Sequence, residues 1–263
     1  MISEVMKKSR KIVIKIGSNT LSNEDGTVNH DFIEDLCKQT SSLISGGKQV
    51  VIVTSGARIS GVSRINKWSR KEDLNYKQAL CAIGQVELMS AYNSHFSSHG
   101  IYIGQILLTR EDFFDKDRTL NIRNTLFTLV DEGIVPIVNE NDTVCVEQIK
   151  IGDNDTLAAY TANLWSADLL ILLSDIDGVY DKNPKEYADA KLVEEIRNID
   201  KDLEKIQIGK SGSFGTGGIE TKIEAARIVN QYGTPMILAN GKHKDILEAL
   251  YKGETKATLF LPE

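Results

Sequence analysis

The chain has 263 residues, 41% of them hydrophobic, which is enough to build a buried core in one or two domains. Its 31 basic and 37 acidic residues leave a net charge of -6, so there is no general electrostatic attraction to nucleic acid or to an anionic membrane, and any anion must be captured locally. Three cysteines, Cys37, Cys81 and Cys145, are odd in number and lack CxxC spacing, which speaks against a disulfide framework or a structural zinc site and for a reducing, cytoplasmic setting.

The N-terminal stretch MISEVMKKSRKIVIKIG contains only a short apolar run, interrupted by Lys15. That is too little for a signal segment or a membrane span, and it reads as a first buried strand over 11–16. Helical spacing follows over roughly 31–45, and then a strand at 49–53 that ends in Ser55-Gly56-Ala57 and turns into a helix. Further strands are expected at 102–108, 134–138, 168–173, 235–239 and 257–261, and further helices at about 74–98, 119–132, 153–166, 219–232 and 244–251. This alternation predicts the α/β class, a three-layer sandwich with a mainly parallel central sheet and helices on both faces. Ligands then collect at the C-terminal ends of the strands. No Pro-rich or Ser-rich linker and no internal repeat divides the chain, so a single unit is expected.

Lys15 is the first residue with chemical meaning, because a lysine inside a buried strand needs an anionic partner. Gly17 follows it at the strand end and leaves room for a phosphate to approach. The segment VTSGARISG at 53–61 offers backbone amides and the Ser55 hydroxyl to a carboxylate. It is not a nucleophile elbow, since GxSxG would need Gly where Val53 stands, and His30, His95, His99 and His243 lie outside every motif. Segments 137–144 and 151–159 gather Asn139, Glu140, Asn141, Asp142, Asp153, Asn154 and Asp155. These are turn and cap residues by type, but their density also suits Asp142 to a substrate ammonium, Asn154 to a carboxylate and Asp155 to the lysines. An EF-hand order is absent. Ser174 and Asp175 end the strand at 168–173, whereas Asp177-Gly178 reads as a plain turn. Finally, FGTGGIETKIEAARIV at 214–229 places three glycines before a helix, an arrangement that exposes amides to an anion with Thr221 and Lys222 in the first turn. It matches neither GxxxxGK[ST] nor GxGxxG.

Together, Lys15-Ile16-Gly17, Ser55-Gly56-Ala57, Asn139-Glu140-Asn141-Asp142, Gly152-Asp153-Asn154-Asp155 and Gly215-Thr216-Gly217-Gly218 with Thr221-Lys222 resemble the amino acid kinase family, and within it the glutamate 5-kinase branch. GQILLTRED at 104–112 and LNIRNTL at 120–126 are similar too, and the resemblance runs from Lys11 to about Leu261. It implies phosphorylation of the γ-carboxylate of L-glutamate by ATP with Mg²⁺. The catalytic residues implied are Lys15, Asp155 and Lys222, and the glutamate-binding ones are Ser55, Gly56, Asn139, Asp142 and Asn154. For ATP it implies Lys15, Gly17, Ser174, Asp175, Thr216, Gly217, Gly218, Ile219, Glu220, Thr221 and Lys222. It also implies a glutamate-binding N-terminal lobe over about 1–165, an ATP-binding C-terminal lobe over about 166–263, and a short form without the RNA-binding-type (PUA) domain that follows the core in longer members. Partners implied are a homo-oligomer of two or four chains and functional coupling to glutamyl phosphate reductase, with no nucleic acid and no membrane. A same-fold kinase for acetylglutamate or aspartate, or a catalytically idle nucleotide sensor, are the alternatives.

Overall fold

The apolar runs become strands of one eight-stranded sheet in the computed structural model, which describes residues 1–23, 27–66, 73–144, 154–204 and 218–263. In chain order the strands are β1 (Lys11–Ile16), β2 (Gln49–Val53), β3 (Ile103–Leu108), β4 (Val135–Glu140), β5 (Leu169–Ser174), β6 (Glu195–Ile196), β7 (Met236–Asn240) and β8 (Ala257–Phe260). The helices are α1 (Ile2–Lys8), α2 (Ser18–Leu21), α3 (His30–Ser45), α4 (Ala57–Ile65), α5 (Leu74–Ser97), α6 (Lys116–Asp131), α7 (Asn154–Trp165), α8 (Ile199–Glu204), α9 (Ile219–Asn230) and α10 (Ile246–Lys252). Asn29, Asp73 and Asp115 start α3, α5 and α6 by accepting a backbone N–H three residues on, at 3.0, 3.1 and 2.9 Å.

The spatial order is β3-β4-β2-β1-β5-β7-β8-β6. The first six strands are parallel, β8 runs antiparallel to β7, and β6 is parallel to β8. Strand alternation then sorts the side chains into two cores. Ile12, Ile14 and Ile16 of β1 pack with Ile52, Ile137 and Ile171 against α3, α5 and α10 on one face. Val13 packs with Val51, Val138 and Leu170 against α6, α7 and α9 on the other. Lys15 shares the parity of Val13, so it points toward α7 and α9. Asn139 of β4 shares the parity of Ile137 and points toward α5.

The expected strands and helices all form, those at 11–16 and 49–53 with the expected ends and the others with ends displaced by at most three residues. Four short elements, α1, α2, β6 and α8, and the 3-10 turn at Arg110–Phe113 were not foreseen. Ile2, Val5 and Met6 make α1 amphipathic and seat it on the first core, and Lys48 Nζ caps its C-terminal end by donating to the carbonyls of Met6, Lys7 and Ser9 at 3.2, 2.6 and 2.6 Å. Strand β6 has two residues and α8 six, too few for a period to register in the sequence. Among the described residues, no helix is long and apolar enough to cross a membrane.

Helices α4 and α5 cross backbone to backbone. A Cβ on Gly84 would lie 1.7 Å from the Ala57 carbonyl oxygen, and one on Gly61 would lie 1.9 Å from that of Leu80. Gly84→Ala therefore has to separate the two helices, and it is expected to destabilise the protein by about 3 kcal/mol, as overpacked contacts do. A thermal melt checks this, and a melting temperature equal to that of the wild type would contradict it.

Candidate active site

Three charged side chains meet at the C-terminal edge of the sheet, where β1, α7 and α9 converge. Lys15 Nζ lies 2.6 Å from Asp155 Oδ1, and Lys222 Nζ lies 3.1 Å from Asp155 Oδ2. Thr221 Oγ1 donates to the same Oδ2 at 2.9 Å. All three charged residues are buried, at 1%, 0% and 3% exposure for Lys15, Asp155 and Lys222. The fold explains each position. Lys15 comes from strand parity, Asp155 from the first turn of α7, where the helix dipole favours an anion, and Lys222 from the first turn of α9, where a cation is disfavoured unless a carboxylate answers it. Burial pushes the Asp155 carboxyl up, but the two ammonium groups outweigh it and hold it down at about 2. Two cations around one carboxylate leave a net positive charge in a dry setting, which suits a polyanion.

Gly17 brings the backbone up beside this triad, since a Cβ there would stand 3.8 Å from Lys15 Nζ and 3.4 Å from the Leu173 carbonyl oxygen. Asn19 Nδ2 donates to Asp175 Oδ2 at 3.0 Å, which ties α2 to the end of β5, and Ser174 Oγ donates to Asp175 Oδ1 at 3.2 Å. Burial raises the Asp175 carboxyl, and hydrogen bonds led by Asn19 more than reverse it, so it stays below the usual carboxylate range. Gly218 caps α9 with its side-chain-free backbone, Ile219 and Glu220 open the first turn, and the Gly218 carbonyl, at 2.9 Å, is the alternative acceptor for the one Thr221 hydroxyl proton. Thr216 and Gly217, like Gly152, Asp153 and Gly215 of the motifs, lie outside the described residues.

A second cluster of side chains sits beside the triad. Asn154, the neighbour of Asp155, has three acceptors for the two protons of its Nδ2, the Thr54 carbonyl, Ser55 Oγ at 3.1 Å and Asn139 Oδ1 at 2.7 Å, which join the ends of β2 and β4 to the start of α7. Gly56 takes φ +87°, a left-handed conformation that glycine adopts without steric cost, and so turns the chain from β2 into α4. Asp142 is half-buried beside Cys81 and Arg58. Burial raises its carboxyl above the usual range, while a hydrogen bond from the Cys81 thiol and the Arg58 charge offset part of the rise. The Cys81 thiol itself is pushed up to about 12, by burial first and the Asp142 charge second, so it stays protonated and donates.

The structure thus brings Lys15 and Lys222 into contact with Asp155, and Ser55 and Asn139 into contact with Asn154. It sets Asp142 next to Cys81, and Ser174 and Asp175 at the strand end beside Asn19. Several contributors escaped the sequence reading: Asn19, Arg58, and Cys81, Gln85 and Tyr92 on α5. The α5 residues carry a faint signal, a glutamine and a cysteine four apart on the apolar stripe of a helix. Asp177, read as turn, gathers Asn240 Nδ2 at 2.9 Å, His243 Nε2 at 3.2 Å and Tyr180 Oη at 3.3 Å. Both Asp155 oxygens are engaged by ammonium groups, and no cluster of three or more His, Cys, Asp or Glu suited to a metal occurs among the described residues.

A buried two-lysine, one-aspartate centre at the strand ends of a mainly parallel sheet has the charge to hold a polyanion, and residues 10–240 match the amino acid kinase family. This chain belongs to that family. It is 78% identical over 263 residues to the glutamate 5-kinase of Alkaliphilus oremlandii, with 100% of both chains covered. It is 66% identical over 260 residues to the glutamate 5-kinase of Alkaliphilus metalliredigens, with 99% of this chain and 98% of the relative covered. Among solved structures, the UMP kinase of Ureaplasma parvum superposes with a TM-score of 0.67 over 97% of this chain and 99% of that one. At 18% identity, that likeness speaks for the fold alone.

Proposed function

We propose that this chain transfers the γ-phosphoryl group of ATP to the side-chain carboxylate of L-glutamate, giving L-glutamyl 5-phosphate and ADP, the first step of proline biosynthesis. The observation that carries the reading is the buried Lys15–Asp155–Lys222 centre beside the Ser55–Asn139–Asn154 cluster. The names of the full-length relatives agree with it.

The chemistry suits the residues. A glutamate side chain ionises near pH 4.3, so the attacking carboxylate is already an anion at neutral pH and needs no general base. The barrier lies in pressing one anion against another. Lys15 and Lys222 lower it by facing the oxygens that carry charge as the phosphoryl group moves, and Asp155 holds both ammonium groups in place. Mg²⁺, when bound, neutralises phosphate charge. The amides at the start of α9, with Gly17, Ser174 and Asp175, receive the nucleotide, while Ser55, Gly56, Asn139 and Asn154 receive glutamate. Asp142 answers its ammonium. This divides the sheet functionally, glutamate toward β2 and β4 and ATP toward β5 and α9. The cytoplasm, a homo-oligomer and hand-over to glutamyl phosphate reductase fit the same reading, because an acyl phosphate hydrolyses if it is not consumed.

ADP release measured with glutamate, N-acetylglutamate, aspartate and UMP as separate acceptors tests the substrate. Glutamate should exceed the others, and turnover of acetylglutamate above glutamate would overturn the choice. Asp142→Ala is expected to raise the glutamate KM by about 10- to 100-fold, the loss of one charge-assisted contact, with the ATP KM unchanged. An unchanged glutamate KM would remove Asp142 from the site.

A further inference from the structure

Helix α5 supports the glutamate side of the site from behind. Cys81, Gln85, Leu88 and Tyr92 are spaced i, i+4, i+7 and i+11, a single stripe. Three of them touch residues of the cluster or its strand ends: Cys81 hydrogen-bonds Asp142, Gln85 Oε1 accepts from Asn139 Nδ2 at 2.9 Å, and the Tyr92 hydroxyl pairs with Thr54 Oγ1 at 3.0 Å. Gln85 is the member whose geometry decides something. Asn139 Oδ1 already receives the Glu140 N–H at 2.9 Å and Asn154 Nδ2 at 2.7 Å, so its orientation is correct only with Nδ2 turned to Gln85. The reversed amide would set an NH₂ against two donors. Gln85 Oε1 holds it from the other end.

Gln85 also bears a sign that packing is not its reason for being there. Its Nε2 is buried and has no hydrogen-bond partner among the described residues. Leucine or methionine would fill a similar volume without that unmet donor, so the side chain is informative through its acceptor.

We propose that Gln85 is a positioning residue for glutamate, its Oε1 fixing the Asn139 amide and, through it, Asn154 in the orientation that receives the substrate. The inference rests on the glutamate reading above. Gln85→Met keeps the side-chain length and removes the acceptor. It is expected to raise the glutamate KM about tenfold, the worth of one hydrogen bond, with the ATP KM within about twofold of wild type. In an Asn139→Ala background the same substitution should add less than about twofold, because its route of action is already gone. An unchanged glutamate KM, an equal rise in both KM values, or a full tenfold effect in the Asn139→Ala background would each overturn the proposal. Failure of both Gln85→Met and Gln85→Leu to fold would overturn it too, by making Gln85 structural. A wild-type enzyme that releases no ADP with glutamate overturns this inference and its parent reading together, whereas wild-type turnover with an unchanged variant KM overturns this inference alone.

Discussion

Lys222→Ala is expected to lower kcat by about 10²- to 10³-fold, the cost of removing one preorganised charge partner of the moving phosphoryl group. The effect belongs in kcat because the ammonium gains most from charge that develops in the transition state, whereas ground-state ATP keeps the amides at the start of α9. Lys15→Ala should behave alike. Either substitution leaves Asp155 one buried lysine, so the carboxylate keeps a partner and the fold survives. Steady-state kinetics on the two variants check this. An unchanged kcat with only a raised ATP KM would make the lysines binding residues and nothing more.

Asp155→Ala has the opposite character. It removes the carboxylate shared by two ammonium groups that are 1% and 3% exposed, and removing one partner from a buried ionic cluster costs about 3–5 kcal/mol. For a chain of this size that is a fall in melting temperature on the order of 10 °C. The pH dependence gives the mechanism away. Asp155 is held at about 2 against an ordinary value of 3.8, so its folded form is depressed. A depressed carboxylate contributes stability that is fully present above its unfolded value and is lost as pH falls toward the folded one. The gap between wild type and Asp155→Ala should therefore be widest near neutrality and narrow as the pH drops from about 4 to about 2. Chemical denaturation at a series of pH values measures it, and a gap independent of pH would mean that Asp155 acts through packing rather than charge.

The lysine at position 15 illustrates what the sequence could carry by itself. A charge inside KIVIKI demands a partner, and period-two alternation fixes which face it leaves by, so the demand and its direction are both local facts. The identity of the partner is not local: Asp155 lies 140 positions further on, and Lys222 is further still. Only the order in which β1, β5 and their helices assemble brings them together. The start of α9 was legible for a similar reason, since the helical period begins at Ile219 directly after a glycine, and Gly218 caps it. The supporting side chains were less visible. Gln85 sits on a helix whose pattern reads as ordinary packing, and its meaning depends on the Asn139 amide 54 residues away. Likewise Asn19, which joins two strand ends, has no neighbour in sequence that betrays the contact. The sheet itself was read from apolar runs, while the N-terminal helix was missed because seven residues with three apolar positions give a weak period.

In the proposed reaction a phosphoryl group leaves ATP and arrives on the glutamate side-chain carboxylate. Hydroxylamine intercepts an acyl phosphate, so purified protein incubated with ATP, Mg²⁺, L-glutamate and hydroxylamine should accumulate γ-glutamyl hydroxamate in step with ADP, and should accumulate none when glutamate is replaced by aspartate or acetylglutamate. ADP without hydroxamate, or hydroxamate at equal rates from all three acids, would contradict it.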